Sequence, residues 1–141
     1  MLNYTLLHPQ LLGALASSGH GGQLLLADGN YPYTTIKHPA AQVIYLNLSP
    51  GLVGINDVLR PLLEATAVEA ATFMRSPDGA DVPAHQDYRA LLGEDVDIST
   101  AERFDFYDQV RQPSVATVVA TGDVRLCANL LLTIGVRPEG R

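Results

Sequence analysis

The chain has 141 residues, 47% hydrophobic and 17% charged, which is enough for one compact domain with a full core and too apolar for a disordered chain. Nine Lys and Arg against fifteen Asp and Glu leave a net charge of -6, with Lys37 the lone lysine, so charge excludes nucleic acid and an anionic membrane surface as partners. The single cysteine, Cys127, excludes an intrachain disulfide and fits a reducing compartment.

Residues 1–9 carry no cationic n-region, Pro9 and Gly13 interrupt the apolar stretch that follows, and no apolar run reaches the length of a bilayer span. A cytoplasmic location is therefore expected. Pro9 suits the first turn of a helix, and Leu11, Leu12 and Leu15 share one helical face. Ser17, Ser18 and Gly19 should stop this helix, with Gly19 free to take a left-handed conformation. Residues 23–27 form a short apolar run between glycine and polar turns, which predicts a buried strand, and 42–48 predicts a second.

A helix is expected over 56–65, with Val58, Leu59, Leu62 and Leu63 inward and Pro61 near its start or bending it. Residues 68–74 read as a strand, 76–79 as a turn, and 83–92 as a helix stopped by Gly93. Ser99 or Thr100 is placed to cap a helix over 102–111, with Phe106 and Val110 in the core. Strands over 115–121 and 129–134 complete the pattern. Helices and strands alternate without repeat, linker or low-complexity tract, which argues for a single α/β domain over 1–141: three α/β/α layers and a largely parallel sheet.

His20 lies among Gly19, Gly21 and Gly22, where backbone freedom lets a ligand approach, and imidazole transfers protons near neutrality. The same position also suits a histidine that caps the helix C-terminus. Asp28 ends an apolar strand, the end at which open α/β sheets bind ligands, and its Asp-Gly pair is equally a turn signal. Arg103 and Tyr107 share a helical face that can look into a cleft, while Asp105 and Asp108 offer Arg103 an ordinary surface pairing. Asn129 can donate and accept hydrogen bonds as a sugar hydroxyl requires, or act as a turn residue. The histidines are scattered and no Cys or His pair has ligand spacing, so no metal site is expected.

Gly19-His20-Gly21 with Asp28, Arg103-Phe104 with Phe106-Tyr107, Thr121-Gly122-Asp123, Asn129 and Gly135-Val136 stand in an order and spacing that resemble the fucose mutarotase and ribose pyranase family (RbsD/FucU). The similarity runs from about Leu6 to Pro138, and the Arg-Phe-x-Phe-Tyr block is closer to the fucose branch. The resemblance implies that His20 is the catalytic acid, that Asp28 and Arg103 bind the sugar, and that Cys127, Ala128 and Asn129 form a sugar-contacting tripeptide. It also implies a cofactor-free isomerase and a ring-shaped homo-oligomer, decamers included, with sites near subunit boundaries. Two positions depart from the pattern: Cys127 stands where the family usually has Tyr, and Asn30 where the fucose branch has His.

Ring opening of a hemiacetal removes a proton from the anomeric hydroxyl and delivers one to the ring oxygen, work for one general acid/base plus a second group or a water. The expected activity is interconversion of anomers or ring forms of fucose or a related monosaccharide. The alternatives are a catalytically impaired sugar-binding accessory or regulatory protein, and a structural role in which the glycines only shape the fold.

Overall fold

The structure is a computed structural model that describes residues 1–140. The elements run α1 (Pro9–Ser17), β1 (Gln23–Ala27), β2 (Gln42–Tyr45), α2 (Ile55–Ala65), β3 (Val68–Met74), α3 (Pro83–Leu92), β4 (Asp97–Ala101), α4 (Arg103–Val110), β5 (Val115–Ala120) and β6 (Leu130–Ile134). The strands form one six-stranded sheet in the order β2-β5-β1-β6-β3-β4. β2, β5 and β1 are mutually parallel, β3 and β4 are parallel, and β6 runs antiparallel to both β1 and β3. Every strand but β6 therefore points the same way.

Both faces of the sheet are covered. Alternate side chains of a strand point to opposite faces, and β1 shows the consequence. Leu24 and Leu26 join a core with Leu11 of α1, Val58, Leu59 and Leu62 of α2, and Ala84 and Tyr88 of α3. Leu25 and Ala27 join a second core with Phe106 and Val110 of α4, Tyr31 and Val118. The three layers are unequal: α1, α2 and α3 cover one face, and α4 with the segment around Tyr31 covers the other. α2 runs on through Pro61 because Ile55, Val58, Leu59 and Leu62 bury one full side of it.

Several expected boundaries are corrected. β4 replaces the loop and cap expected around Ser99 and Thr100. It is an edge strand whose ladder with β3 pairs Thr72 with Ser99 and Phe73 with Thr100. Only Ile98 and Ala101 point inward, so its sequence lacks apolar alternation, and the pairing to β3 alone decides it. The helix cap is Glu102, and α4 starts at Arg103. α1 ends on Ser18 in an extended conformation, and the left-handed glycine of this turn is Gly21 (φ 81°) rather than Gly19. β2 ends at Tyr45 instead of residue 48, because the chain folds into the Ser49–Leu52 bridge. β6 begins one residue later than expected, at Leu130, and Asn129 stands just ahead of it, its carbonyl accepting from the Met74 N–H at 3.4 Å.

Candidate functional site

The antiparallel pairing of β1 with β6 sets the end of one strand beside the start of the other, so Asp28 meets Asn129 across 101 residues of chain. The Asp28 backbone N–H donates to Asn129 Oδ1 at 2.8 Å, and Asn129 Nδ2 donates to Asp28 Oδ2 at 3.0 Å. The Asn30 N–H donates to Asp28 Oδ1 at 3.0 Å, so the turn role and the partner role of Asp28 coexist. Asp28 and Asn129 are 2% and 3% exposed. Burial pushes the Asp28 carboxyl above the ordinary aspartate range, against the pull of the backbone groups of Asn30 and Ala128, and the Asp123 charge adds to the rise. The carbonyl of Asp28 accepts from the Tyr33 hydroxyl at 2.7 Å, and burial followed by the Asp28 charge pushes that phenol up to about 12.

The tripeptide before β6 crosses the same end of the sheet. Ala128 is fully buried, and its carbonyl accepts from the Tyr88 hydroxyl at 2.7 Å. Cys127 is half-buried in a left-handed conformation (φ 58°). Burial raises its thiol pKa, the Asp28 charge adds to this, and Arg103 opposes it, so the sulfur stays protonated at neutral pH. Arg103 opens α4 and lines a cavity of about 450 Å³ with Arg75, Asp78, Glu102 and Phe104. It forms no ion pair with any described residue, and Asp108 is held by Arg111 at 3.0 Å. Tyr107 packs edge-on against Tyr31 at 5.5 Å.

His20 lies elsewhere. Its turn precedes β1, at the opposite end of the sheet from Asp28, and β1 has five residues. At about 3.3 Å per residue the two side chains are separated by roughly 16 Å of strand. Asp28, Asn129, Cys127 and Arg103 gather at one end of the sheet, and His20 does not join them. The helix C-terminus is not its partner either: Nε2 lies 2.9 Å and 3.1 Å from the two carboxylate oxygens of Glu69. His20 lines a cleft of about 580 Å³ with Tyr4, Glu64 and Arg137.

Three features escaped the sequence reading. Glu69 is one, since its approach to His20 depends on a non-local strand pairing. The second is a clasp in which Asp123 accepts from Arg125 Nε at 3.0 Å, Arg125 Nη2 at 2.6 Å and the Ile55 N–H at 3.0 Å. Burial alone would raise the Asp123 pKa, yet the Arg125 guanidinium and these N–H groups hold it below the usual range. The third is His85 on α3, packed at a tilt against Phe73 with ring centroids 4.9 Å apart, whose buried Nε2 has no hydrogen-bond partner among the described residues. Burial pushes the His85 pKa down. Among the described residues no group of three His, Cys, Asp or Glu side chains converges to hold a metal ion, and no helix is long and apolar enough to cross a membrane.

Residues 1–137 match the family model described as the RbsD / FucU transport protein family. The fucose mutarotase of Danio rerio is 32% identical over 146 residues, which covers 95% of this chain and 92% of that protein. The structure of Bacillus subtilis RbsD complexed with D-ribose superposes with a TM-score of 0.85 at 25% identity, over 98% of this chain and 100% of that one. The fucose mutarotase from Streptococcus pneumoniae in complex with L-fucose gives a TM-score of 0.81 at 27% identity, over 98% of this chain and 100% of that one.

Proposed function

The chain belongs to the RbsD / FucU transport protein family, and on that footing we propose that it is a monosaccharide mutarotase or pyranase acting on fucose or a related sugar. The observation that carries the reading is the buried Asp28–Asn129 pair at the carboxyl end of β1, with the unpaired Arg103 guanidinium on the same end of the sheet. Such a set offers acceptors and donors to the hydroxyls of a neutral ligand at the edge where open α/β sheets bind.

The reaction moves only protons and one C–O bond. The anomeric O–H gives up its proton, the ring oxygen gains one, and the bond between C1 and the ring oxygen breaks to leave the open-chain aldehyde. Closure on either face of the carbonyl yields either anomer. In this reading His20 gives the ring oxygen its proton, a water or carboxylate takes the anomeric proton, Asp28 orients the sugar, and Arg103, Cys127, Ala128 and Asn129 hold its hydroxyls. General acid/base help of this kind is worth about 10²–10⁴-fold. No cofactor enters these steps.

Within one chain His20 and Asp28 cannot touch the same monosaccharide across roughly 16 Å of strand. A site that uses both draws His20 from a second copy, which favours the ring-shaped homo-oligomer. The lone Cys127 favours the cytoplasm, and residues 1–141 act as one unit. A second reading, a sugar-binding accessory protein with little turnover, is favoured by Cys127, whose protonated thiol replaces the phenol usual in the family. Saturation-transfer NMR on a panel containing L-fucose and D-ribose separates the two. Accelerated anomer exchange that disappears in His20→Ala supports the enzyme. Binding without exchange supports the accessory role, and no binding to any sugar of the panel sinks both.

A further inference from the structure

The contact between His20 and Glu69 is more than two neighbouring surface charges, because three separate backbone features build it. In the pairing of β3 with β6, Val68 faces Ile134 and Ala70 faces Thr133, so Glu69 is the extra residue of a bulge. A bulge turns a side chain out of the regular alternation of a strand. Gly135 packs directly on it: a Cβ at position 135 would lie 3.1 Å from Glu69 Cβ and 3.3 Å from its backbone nitrogen. Ile134, the residue before Gly135, anchors the histidine turn, while Gly135 ties down the entry to β3. The Ile134 carbonyl accepts from the Gly21 N–H at 2.9 Å, the Ile134 N–H donates to the Gly22 carbonyl at 2.8 Å, and the Gly135 N–H donates to the Ala67 carbonyl at 2.9 Å. Residues 134 and 135 thus clamp the turn that carries His20 and the bulge that carries Glu69 into one unit.

We infer that Glu69 is the positioning residue for His20, holding the imidazole by Nε2 so that Nδ1 is the nitrogen presented to the sugar. This rests on the reading of His20 as the proton carrier. In the neutral ring the Nε2–H donates to the carboxylate, which leaves the Nδ1 lone pair free to take a proton and return it. His20 lines the 580 Å³ cleft and Glu69 does not, so the carboxylate holds the ring without occupying the space open to a ligand. The two side chains are 60% and 43% exposed, so the pairing is worth little to stability and its effect falls on ring orientation.

The test uses the full-length protein with L-fucose and D-ribose as probes. Anomer exchange is measured for wild type, E69A, E69D and H20A, singly and as H20A with E69A, and ring ¹⁵N spectra of His20 give its tautomer. E69A is expected to lower kcat about 3- to 5-fold with KM within about twofold, the scale of one exposed charge-assisted contact. The share of the Nε2–H tautomer should fall in E69A and be restored in E69D. In the H20A background E69A should change nothing further. A wild-type tautomer in E69A overturns the role of Glu69 whatever the activity does. So does an E69A loss that persists undiminished in H20A. Unchanged exchange in H20A overturns the proton-carrier reading itself and this inference with it.

Discussion

Replacing Asn129 by Ala tests the buried pair on which the site reading stands. The substitution removes the acceptor of the Asp28 N–H and one donor to the Asp28 carboxylate, and both groups are closed to water. A buried N–H left without a partner costs about 1–3 kcal/mol, and a hydrogen bond to a charged group contributes about 1.5–3 kcal/mol. A water entering the vacated space recovers part of this, so the expected loss at neutral pH is about 2–4 kcal/mol. The pH dependence has a definite sign. The folded Asp28 pKa is raised above 3.8, so the folded state holds this proton more tightly than the unfolded state. Its contribution to stability is therefore full below the unfolded value and lost as pH rises through the folded one. Asn129→Ala strips a donor from the carboxylate and raises that pKa further, so the deficit should shrink as the pH is lowered. Urea unfolding of both proteins at neutral and mildly acidic pH measures it, with sugar titration alongside. A loss below about 0.5 kcal/mol, or one that does not change with pH, refutes the assignment of the pair as a desolvated, mutually dependent unit.

Other outcomes follow from the same geometry. Gly122→Ala places a methyl against the carbonyls of Leu52 and Ser49 and should cost about 3 kcal/mol or more, whereas Gly19→Ala meets nothing within 4 Å and should leave Tm almost unchanged. Equal effects in thermal melts would contradict the packing of the Leu52 loop on Gly122. Asp123→Ala leaves Arg125 partly buried without its main partner, with an expected loss of about 2–3 kcal/mol at neutral pH by urea unfolding. Because the folded Asp123 pKa lies below 3.8, its contribution is present above that value and fades as pH falls through the folded pKa. A wild-type and variant pair whose difference grows on acidification would overturn this sign. Cys127→Tyr restores the phenol usual in the family and should raise the sugar exchange rate severalfold; a rate equal to or below that of the parent chain argues that the phenol does not limit turnover.

The elements legible from residue order were those whose apolar pattern is complete in itself. The run Leu24-Leu25-Leu26-Ala27 between turns predicts a buried strand, and Val58, Leu59 and Leu62 mark one side of a helix that the structure extends back to Ile55. β4 was not legible, since Asp97-Ile98-Ser99-Thr100-Ala101 has no alternation of its own and becomes a strand only by pairing with β3. Asp28, Asn129, Arg103 and His20 were marked as candidates by residue type and local setting, yet nothing local says which of them meet.

Composition and short-range periodicity carry the alternating α/β class, the charge balance unsuited to nucleic acid, and the residue types available for proton transfer and hydroxyl binding. The tertiary structure decided how they combine. The reversed direction of β6 brings Asn129 to Asp28 at one end of the sheet, and the bulge at Glu69 with the close approach of Gly135 gives His20 its partner at the other. Strand order, direction and register are set by contacts between residues far apart in the chain, and no local pattern encodes them.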